Sequence, residues 1–309
     1  YTNSMPNALI DSVTEQLLAG DRALLEKTKF PIVTISGTFR DVVELQQDLG
    51  DDKNHPDVTL SRAHYSMAVA VAVAAWGSDE PDPKKSWLVE PTNYVTRKDW
   101  NRVAFTATLG RLLARHSLLE KIKKLVLDRN RKAFPLTTTI TPPLMFLTET
   151  VTRPIISLHI VTGNILAKAG KTVVQVVTDP HVREDYVEMA HLPNITFCVF
   201  DENTRYEFFQ VAAAHGKTVD PARVIVTGPP VDPRVVAARD TKKVDSWRRR
   251  PLRVLLTTGG LGTNKDELAE ILDQLLPLTR KRNNPVQVMY YAGTNPDHVK
   301  MVEKLLREH

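Results

Sequence analysis

The chain has 309 residues, 42% hydrophobic and 25% charged, which is the make-up of a globular protein with about two domains. Its net charge of +5 is too small an excess to single out nucleic acid, and no recognised nucleic-acid module is visible, so no nucleic-acid partner is expected. One cysteine, Cys198, excludes an internal disulfide framework, and its neighbours Phe197 and Val199 describe a buried thiol.

The first 135 residues are expected to be mainly helical. Apolar residues recur at helical spacing over 7–18 and 42–49. Between them, residues 30–36 (FPIVTIS) form a β-branched run that stops at Gly37, a strand signal. Residues 67–75 (MAVAVAVAA) are too few and too alanine-rich to cross a membrane and are read as a core segment. The prolines and charges of 79–85 mark a loop. Leu109, Leu112, Leu113, Leu118, Leu119, Ile122, Leu125 and Val126 predict a long helix over 103–131. Its lysines and arginines form a solvated face or a surface for anionic headgroups.

From Arg153 the pattern changes. Residues 154–161, 172–178, 195–200 and 223–227 are nearly continuous apolar runs separated by helical stretches, the pattern of a parallel sheet covered on both faces. Thr162, Gly163 and Asn164 are read as a turn before a short helix. Residues 228–251 hold four prolines and the run Arg248-Arg249-Arg250 and are read as an interdomain connection ending in a short helix. The pattern then restarts: strand 252–257, a glycine-rich turn at 259–263, helix 265–276, strand 286–291 and helix 296–306. Two strands and two helices are the first part of a Rossmann-like domain, and three or more strands are usual for stability. The chain is therefore expected to continue for roughly 60–100 residues in the natural protein.

Three segments carry chemistry. Thr257 to Asn264 (TTGGLGTN) joins a strand to a helix; its glycines permit close backbone approach, and the helix N-terminus offers free N–H groups to a diphosphate. It is neither a P-loop nor the dinucleotide fingerprint, and the alternative to a ligand site is a glycine turn with an Asn cap. Val176 to His181 (VVTDPH) places Asp179 and His181 at a strand end, where ligands bind in open α/β sheets and where either side chain could deprotonate a hydroxyl. The alternative is an Asp-Pro turn with an incidental histidine. Thr227 to Arg234 (TGPPVDPR) offers Arg234 to a phosphate or is a rigid hinge. His64 is a further candidate base, read first as a structural histidine. No His/Cys/carboxylate spacing suggests a metal, and none is expected.

In order and spacing, His159 after its apolar strand, Val176 to Asp179, Thr227 to Val231 and Leu255 to Asn264 resemble the GT-B glycosyltransferases. Within that family the likeness is to the lipid II-forming N-acetylglucosaminyltransferase and the galactosyl- and glucosyl-diacylglycerol synthases. It covers about half the chain, from Arg153 onward. It implies an α/β protein with two Rossmann-like domains whose parallel sheets face a central cleft: residues 1–227 on the acceptor side and residues 228–309, incomplete, on the nucleotide-sugar side. The implied activity is transfer of a hexose or N-acetylhexosamine from a nucleotide-diphosphate sugar, a UDP-sugar foremost, to a lipid or other hydroxyl acceptor. The sugar nucleotide is then a co-substrate and no cofactor is needed. His181 and Asp179, with His159 behind them, would be catalytic; Gly259, Gly260, Gly262, Thr263, Asn264 and Arg234 would hold the diphosphate. The implied location is cytoplasmic, with a peripheral station on an anionic inner membrane face if the acceptor is a lipid. The glycine-rich loop with a histidine usual near the start of that family is not visible here. A sugar-nucleotide epimerase on the same fold and a non-catalytic relative are the rival readings.

Overall fold

The computed structural model describes residues 5–36, 62–95, 99–103, 105, 135–241, 251–258, 265–281, 286–292 and 296–309. The expected helices at 42–49 and 103–131 lie almost wholly outside these residues. The chain divides into two compact units, Tyr1–Gly110 with Leu118–Arg239, and Arg111–Ser117 with Asp240–His309.

The first unit is α/β. Its six strands, β1 (Phe30–Val33), β2 (Ser86–Val89), β3 (Ile155–Ser157), β4 (Val173–Val176), β5 (Ile195–Val199) and β6 (Val224–Val226), lie in the order β2-β1-β3-β4-β5-β6. Every pairing is parallel, with Phe30 opposite Ser86, Ile32 opposite Ile156, Val173 opposite Ile195 and Phe197 opposite Val224. One sheet face is covered along most of its width. Val33, Val89, Ile155, Val173, Ile195, Phe197, Val199 and Val224 are buried there against helices α1 (Met5–Lys27), α3 (Pro135–Thr148), α4 (Ile160–Lys168) and α6 (Glu202–Ala214). Helix α2 (Arg62–Trp76) covers part of the other face. Its Ala68 and Ala72, on one stripe four residues apart, let the helix sit close over Ile32, Leu158 and Val176. The alanine-valine segment is thus a core helix.

Helix α1 shows how sequence spacing becomes packing. Thr14, Leu18, Asp21 and Leu25 recur every three or four residues, so they share a face. Leu25 is fully buried and Leu18 packs on the same core. Asp21 lies on that inward face and is partnered: Trp87 Nε1 donates to Oδ1 at 3.0 Å, and the Tyr94 hydroxyl donates to Oδ2. At the other end of the sheet, the Asp201 carboxylate caps α6 by accepting from Thr204 N–H at 2.7 Å and Thr204 Oγ1 at 2.9 Å. The Arg223 guanidinium donates to the carbonyls of Leu192, Ile195 and Ala190, fixing the approach to β5.

Several expected boundaries move. Strand β3 ends at Ser157 rather than Val161, and Thr162, Gly163 and Asn164 lie inside α4, not in a turn. The glycine serves packing, because a Cβ on Gly163 would stand 1.8 Å from Gln175 Oε1 and 3.3 Å from Ser157 Oγ. Gln175 is wholly buried, and among the described residues its Oε1 has no conventional partner. Helix α3 carries Pro142 and Pro143 in its interior, which is why residue pattern alone does not announce it.

The second unit pairs β7 (Leu252–Thr257) with β8 (Val286–Tyr291) in parallel, Leu255 opposite Met289 and Thr257 opposite Tyr291. Helices α8 (Lys265–Thr279) and α9 (Pro296–Glu308) complete the described part. Leu272 and Leu276 are buried, as is His298, whose Nδ1 shares a hydrogen bond with the Tyr290 hydroxyl. The opposite sheet face, with Leu255, Met289 and Tyr291, is exposed.

Candidate functional site

A doubly wound sheet opens a crevice where neighbouring strands send their following segments to opposite faces, beyond the carboxyl ends of the strands. In the order β2-β1-β3-β4-β5-β6 that switch point lies between β1 and β3. The segments leaving those two strands carry Ile35 and Ser36 after β1 and His159 after β3. Ser36 is anchored from the next strand, since its N–H and Oγ donate to Glu90 Oε2 at 3.3 and 2.8 Å.

His159 is the N-cap of α4. Its ring Nδ1 accepts from Val161 N–H at 3.2 Å, while Ser157 Oγ and Thr162 Oγ1 donate to its carbonyl at 2.8 and 2.7 Å. The Val161 bond fixes the tautomer: the neutral ring must carry its proton on Nε2. His64, in the first turn of α2, meets it edge to face, with centroids 4.9 Å apart. The Ile35 carbonyl accepts a hydrogen bond from the His64 ring, and among the described residues His64 Nδ1 has no partner. The bonded nitrogen is therefore Nε2, and Nδ1 carries an unused lone pair.

Charge at the site comes from the segment after β4. Asp179 and Arg183 both act on His64. Burial pushes the His64 pKa down, the Asp179 carboxylate pushes it up, Arg183 pushes it down and the Ile35 carbonyl pushes it up. His159 is held well below the ordinary histidine value, first by burial and then by His64 and Arg183. Both rings are neutral at physiological pH. Arg183 is itself engaged by Asp185, at 3.2 and 3.1 Å. The Tyr186 hydroxyl, buried, reaches Asp179 Oδ2 at 3.4 Å.

No protein-family model, curated protein or solved structure matches this chain. The chemistry of the site has to be read from its own residues.

Of the expected site residues, Asp179 and His159 are brought to one cluster. His181 is 88% exposed and faces Glu207, Nδ1 to Oε1 3.7 Å, on α6. Arg234, at the start of α7 (Pro233–Thr241), is locked on Asp232 by a two-pronged pair, Nε to Oδ1 3.0 Å and Nη2 to Oδ2 2.6 Å. Its hydrogen bond holds the Asp232 carboxyl below its usual range. Gly259, Gly260, Gly262, Thr263 and Asn264 lie outside the described residues. Among the described residues no group of histidine, cysteine or acidic side chains is arranged to hold a metal ion, and no helix is long and apolar enough to cross a membrane.

The sequence pattern marks His64 first as structural and does not mark Arg183 or Tyr186. The first helix after a strand begins at the sheet's carboxyl edge, so position on α2 is the signal for His64; the separation of residues 33 and 62 conceals it. Arg183, Asp185 and Tyr186 follow Asp179 within seven residues, and that proximity is the signal for them.

Proposed function

We propose that this protein is a nucleotide-sugar-dependent glycosyltransferase of the GT-B kind, with the switch-point cluster of the first unit as its acceptor side. The observation that carries the reading is the Nδ1 lone pair of His64, shielded from solvent and without a partner among the described residues, in a neutral ring next to a carboxylate. Once uncovered by a small turn of the ring or its neighbours on acceptor binding, such a nitrogen takes the proton of an acceptor hydroxyl; Asp179 stabilises the imidazolium that results. The acceptor oxygen attacks the anomeric carbon of the donor, the bond from that carbon to the diphosphate oxygen breaks, and the electron pair leaves with the diphosphate. His159 presents its Nε2 proton toward the same crevice as a donor that orients the acceptor or the sugar. Residues 257–264 and Arg234 are assigned to the diphosphate on the sequence resemblance. For Arg234 this requires exchange of Asp232 for a phosphate, a like-for-like swap of a two-oxygen anion. The six-stranded parallel sheet supports the α/β class; the two-domain arrangement belongs to the proposal.

The test is direct. Purified protein is incubated with a panel of UDP- and other nucleotide-diphosphate hexoses and N-acetylhexosamines, with diacylglycerol and polyprenyl-linked acceptors in anionic vesicles. Release of nucleoside diphosphate that depends on acceptor supports the reading. Conversion of one nucleotide sugar to another without acceptor assigns an epimerase instead. Failure of every nucleotide sugar to bind in calorimetry ends the proposal.

A further inference from the structure

We propose that Tyr186 is a positioning residue: its phenol locks the end of β4 and aims the Asp179 carboxylate at His64. This rests on reading His64 as the base, and it adds to that reading a device that sets the base's strength.

The phenol sits in the short helix α5 (Glu184–Val187) and is 1% exposed. It makes three polar contacts, to Thr178 N–H at 3.2 Å, Thr178 Oγ1 at 2.9 Å and Asp179 Oδ2 at 3.4 Å. A phenol has one proton to give and two lone pairs to receive with. The Thr178 N–H is a donor only, and an ionised carboxylate is an acceptor only. The arrangement that satisfies all three contacts has Thr178 donating twice, from N–H and Oγ1–H, and Tyr186 donating its one proton to Asp179. The hydrogen-bonding capacity of the phenol is then fully used.

Two consequences follow. Strand β4 ends at Val176, and Val177 N–H is taken by the Cys198 carbonyl. Among the described residues the next N–H, that of Thr178, has only this phenol, so Tyr186 extends the ladder by one residue and fixes the chain from which Asp179 projects. The same phenol holds one carboxylate oxygen. Asp179 is only partly buried, and without that tether its side chain is free to turn into water, where its effect on His64 is screened. The phenol proton is itself held firmly: burial and the neighbouring carboxylate push the Tyr186 pKa up to about 12, so it stays a donor over the working range.

Among the described residues, the groups that act on His64 are His159 on the N-terminus of α4, the Ile35 carbonyl after β1, Asp179 after β4 and Arg183 before α5. Asp179 and Arg183 oppose each other. The balance between them depends on how close the carboxylate is held, which is the quantity Tyr186 controls.

The experiment is an NMR titration of His64 in the full chain labelled at histidine Cε1, its resonance assigned by loss in His64→Asn. Wild type is compared with Tyr186→Phe, Asp179→Asn and the double variant. Asp179→Asn should lower the His64 midpoint by about 1 pH unit, the size of a close opposite charge. Tyr186→Phe should lower it by less, and in the Asp179→Asn background should lower it no further. A Tyr186→Phe midpoint equal to wild type overturns the proposal, as does an equal shift in both backgrounds. A fall in Tm with no movement of His64 is a structural role alone and counts against it. If Tyr186→Phe does not fold, Thr178→Val loosens the same phenol and is read the same way. The acid limb of any transferase activity should move with the midpoint. Expected midpoint shifts in a protein that transfers no sugar would leave the positioning role standing and remove the transferase reading.

Discussion

His64 and His159 meet with their ring planes 85° apart and their centroids 4.9 Å apart, and their hydrogen bonds give them opposite roles. His159 spends its Nδ1 lone pair on the Val161 N–H and keeps its Nε2 proton to donate. His64 spends its proton on the Ile35 carbonyl and keeps a lone pair. Two adjacent imidazoles of the same composition become one donor and one acceptor because a helix cap and a strand-end carbonyl each claim one nitrogen.

That division predicts unequal effects of substitution. His64→Asn should lower kcat for sugar transfer by about 10²–10⁴-fold, the worth of a positioned general base, with KM little changed. His181→Asn, which alters an exposed ring beside Glu207, should leave kcat within a few-fold of wild type. Steady-state kinetics on the two variants check this, and a larger loss in His181→Asn would move the base to that residue.

The pH dependence of stability has a definite sign. His64 and His159 are both depressed below the ordinary histidine pKa of 6.5 by burial. The unfolded chain therefore binds more protons than the folded one in the window below pH 6.5. Stability from these two rings is complete above pH 6.5 and is lost as pH falls through their lower folded-state values. His159→Asn keeps a cap acceptor for Val161 N–H but removes one titrating group. Its Tm should fall less steeply than wild type between pH 6.5 and pH 5 in calorimetric scans. An unchanged slope would show that His159 protonation is not what destabilises the fold.

Gly163 separates what sequence shows from what only packing shows. The strand-and-helix alternation from residue 153 onward is legible because parallel strands buried in a sheet are apolar throughout, and β3 to β8 all fall within expected runs. Asp179 is legible because it ends such a run. The glycine is visible too, but its reason is not: a glycine between polar neighbours signals a turn, whereas here the requirement comes from Gln175, a buried side chain on another element. Helix α2 and strand β2 are illegible for related reasons. Alternating alanine and valine satisfies either period, and four residues (SWLV) are too few to declare one. The site inherits this limit, since His64 joins it through a helix whose start the local pattern does not mark.

Gly163→Ala should therefore cost about 1–3 kcal/mol, the usual penalty of overpacking. The new methyl would meet Gln175 Oε1 at 1.8 Å and the neighbouring Ser157 Oγ at 3.3 Å. In a unit of this size the loss appears as a Tm lower by roughly 2–4 °C per kcal/mol. Shortening the obstruction with Gln175→Ala in the same chain should recover part of the loss, because the clash is with the amide end. Additive losses in the double variant would mean that the two side chains do not compete for one space.

Asp21 gives the opposite pH sign from the histidines. Burial raises its carboxyl pKa above the usual value, against the lowering effect of the hydrogen bonds from Tyr94 and Trp87. The folded state then holds a proton more tightly than the unfolded chain, so this carboxyl favours folding most at low pH and that contribution is lost as pH rises through the folded-state pKa. Ionising the carboxyl carries a desolvation cost that its two donors offset only in part. Asp21→Ala removes the acceptor and strands the Trp87 N–H and the Tyr94 hydroxyl between α1 and β2, which should cost about 1–3 kcal/mol at pH 7. Asp21→Asn keeps an oxygen for Trp87 Nε1 and an amide for the phenol oxygen while abolishing the charge, so it should stay within about 1 kcal/mol of wild type and show a flatter stability profile between pH 4 and pH 7. Urea unfolding of the three proteins at both ends of that range measures each quantity. If Asp21→Asn is as damaging as Asp21→Ala, the ionised carboxylate itself, rather than its hydrogen-bonding oxygens, is what joins α1 to the sheet edge.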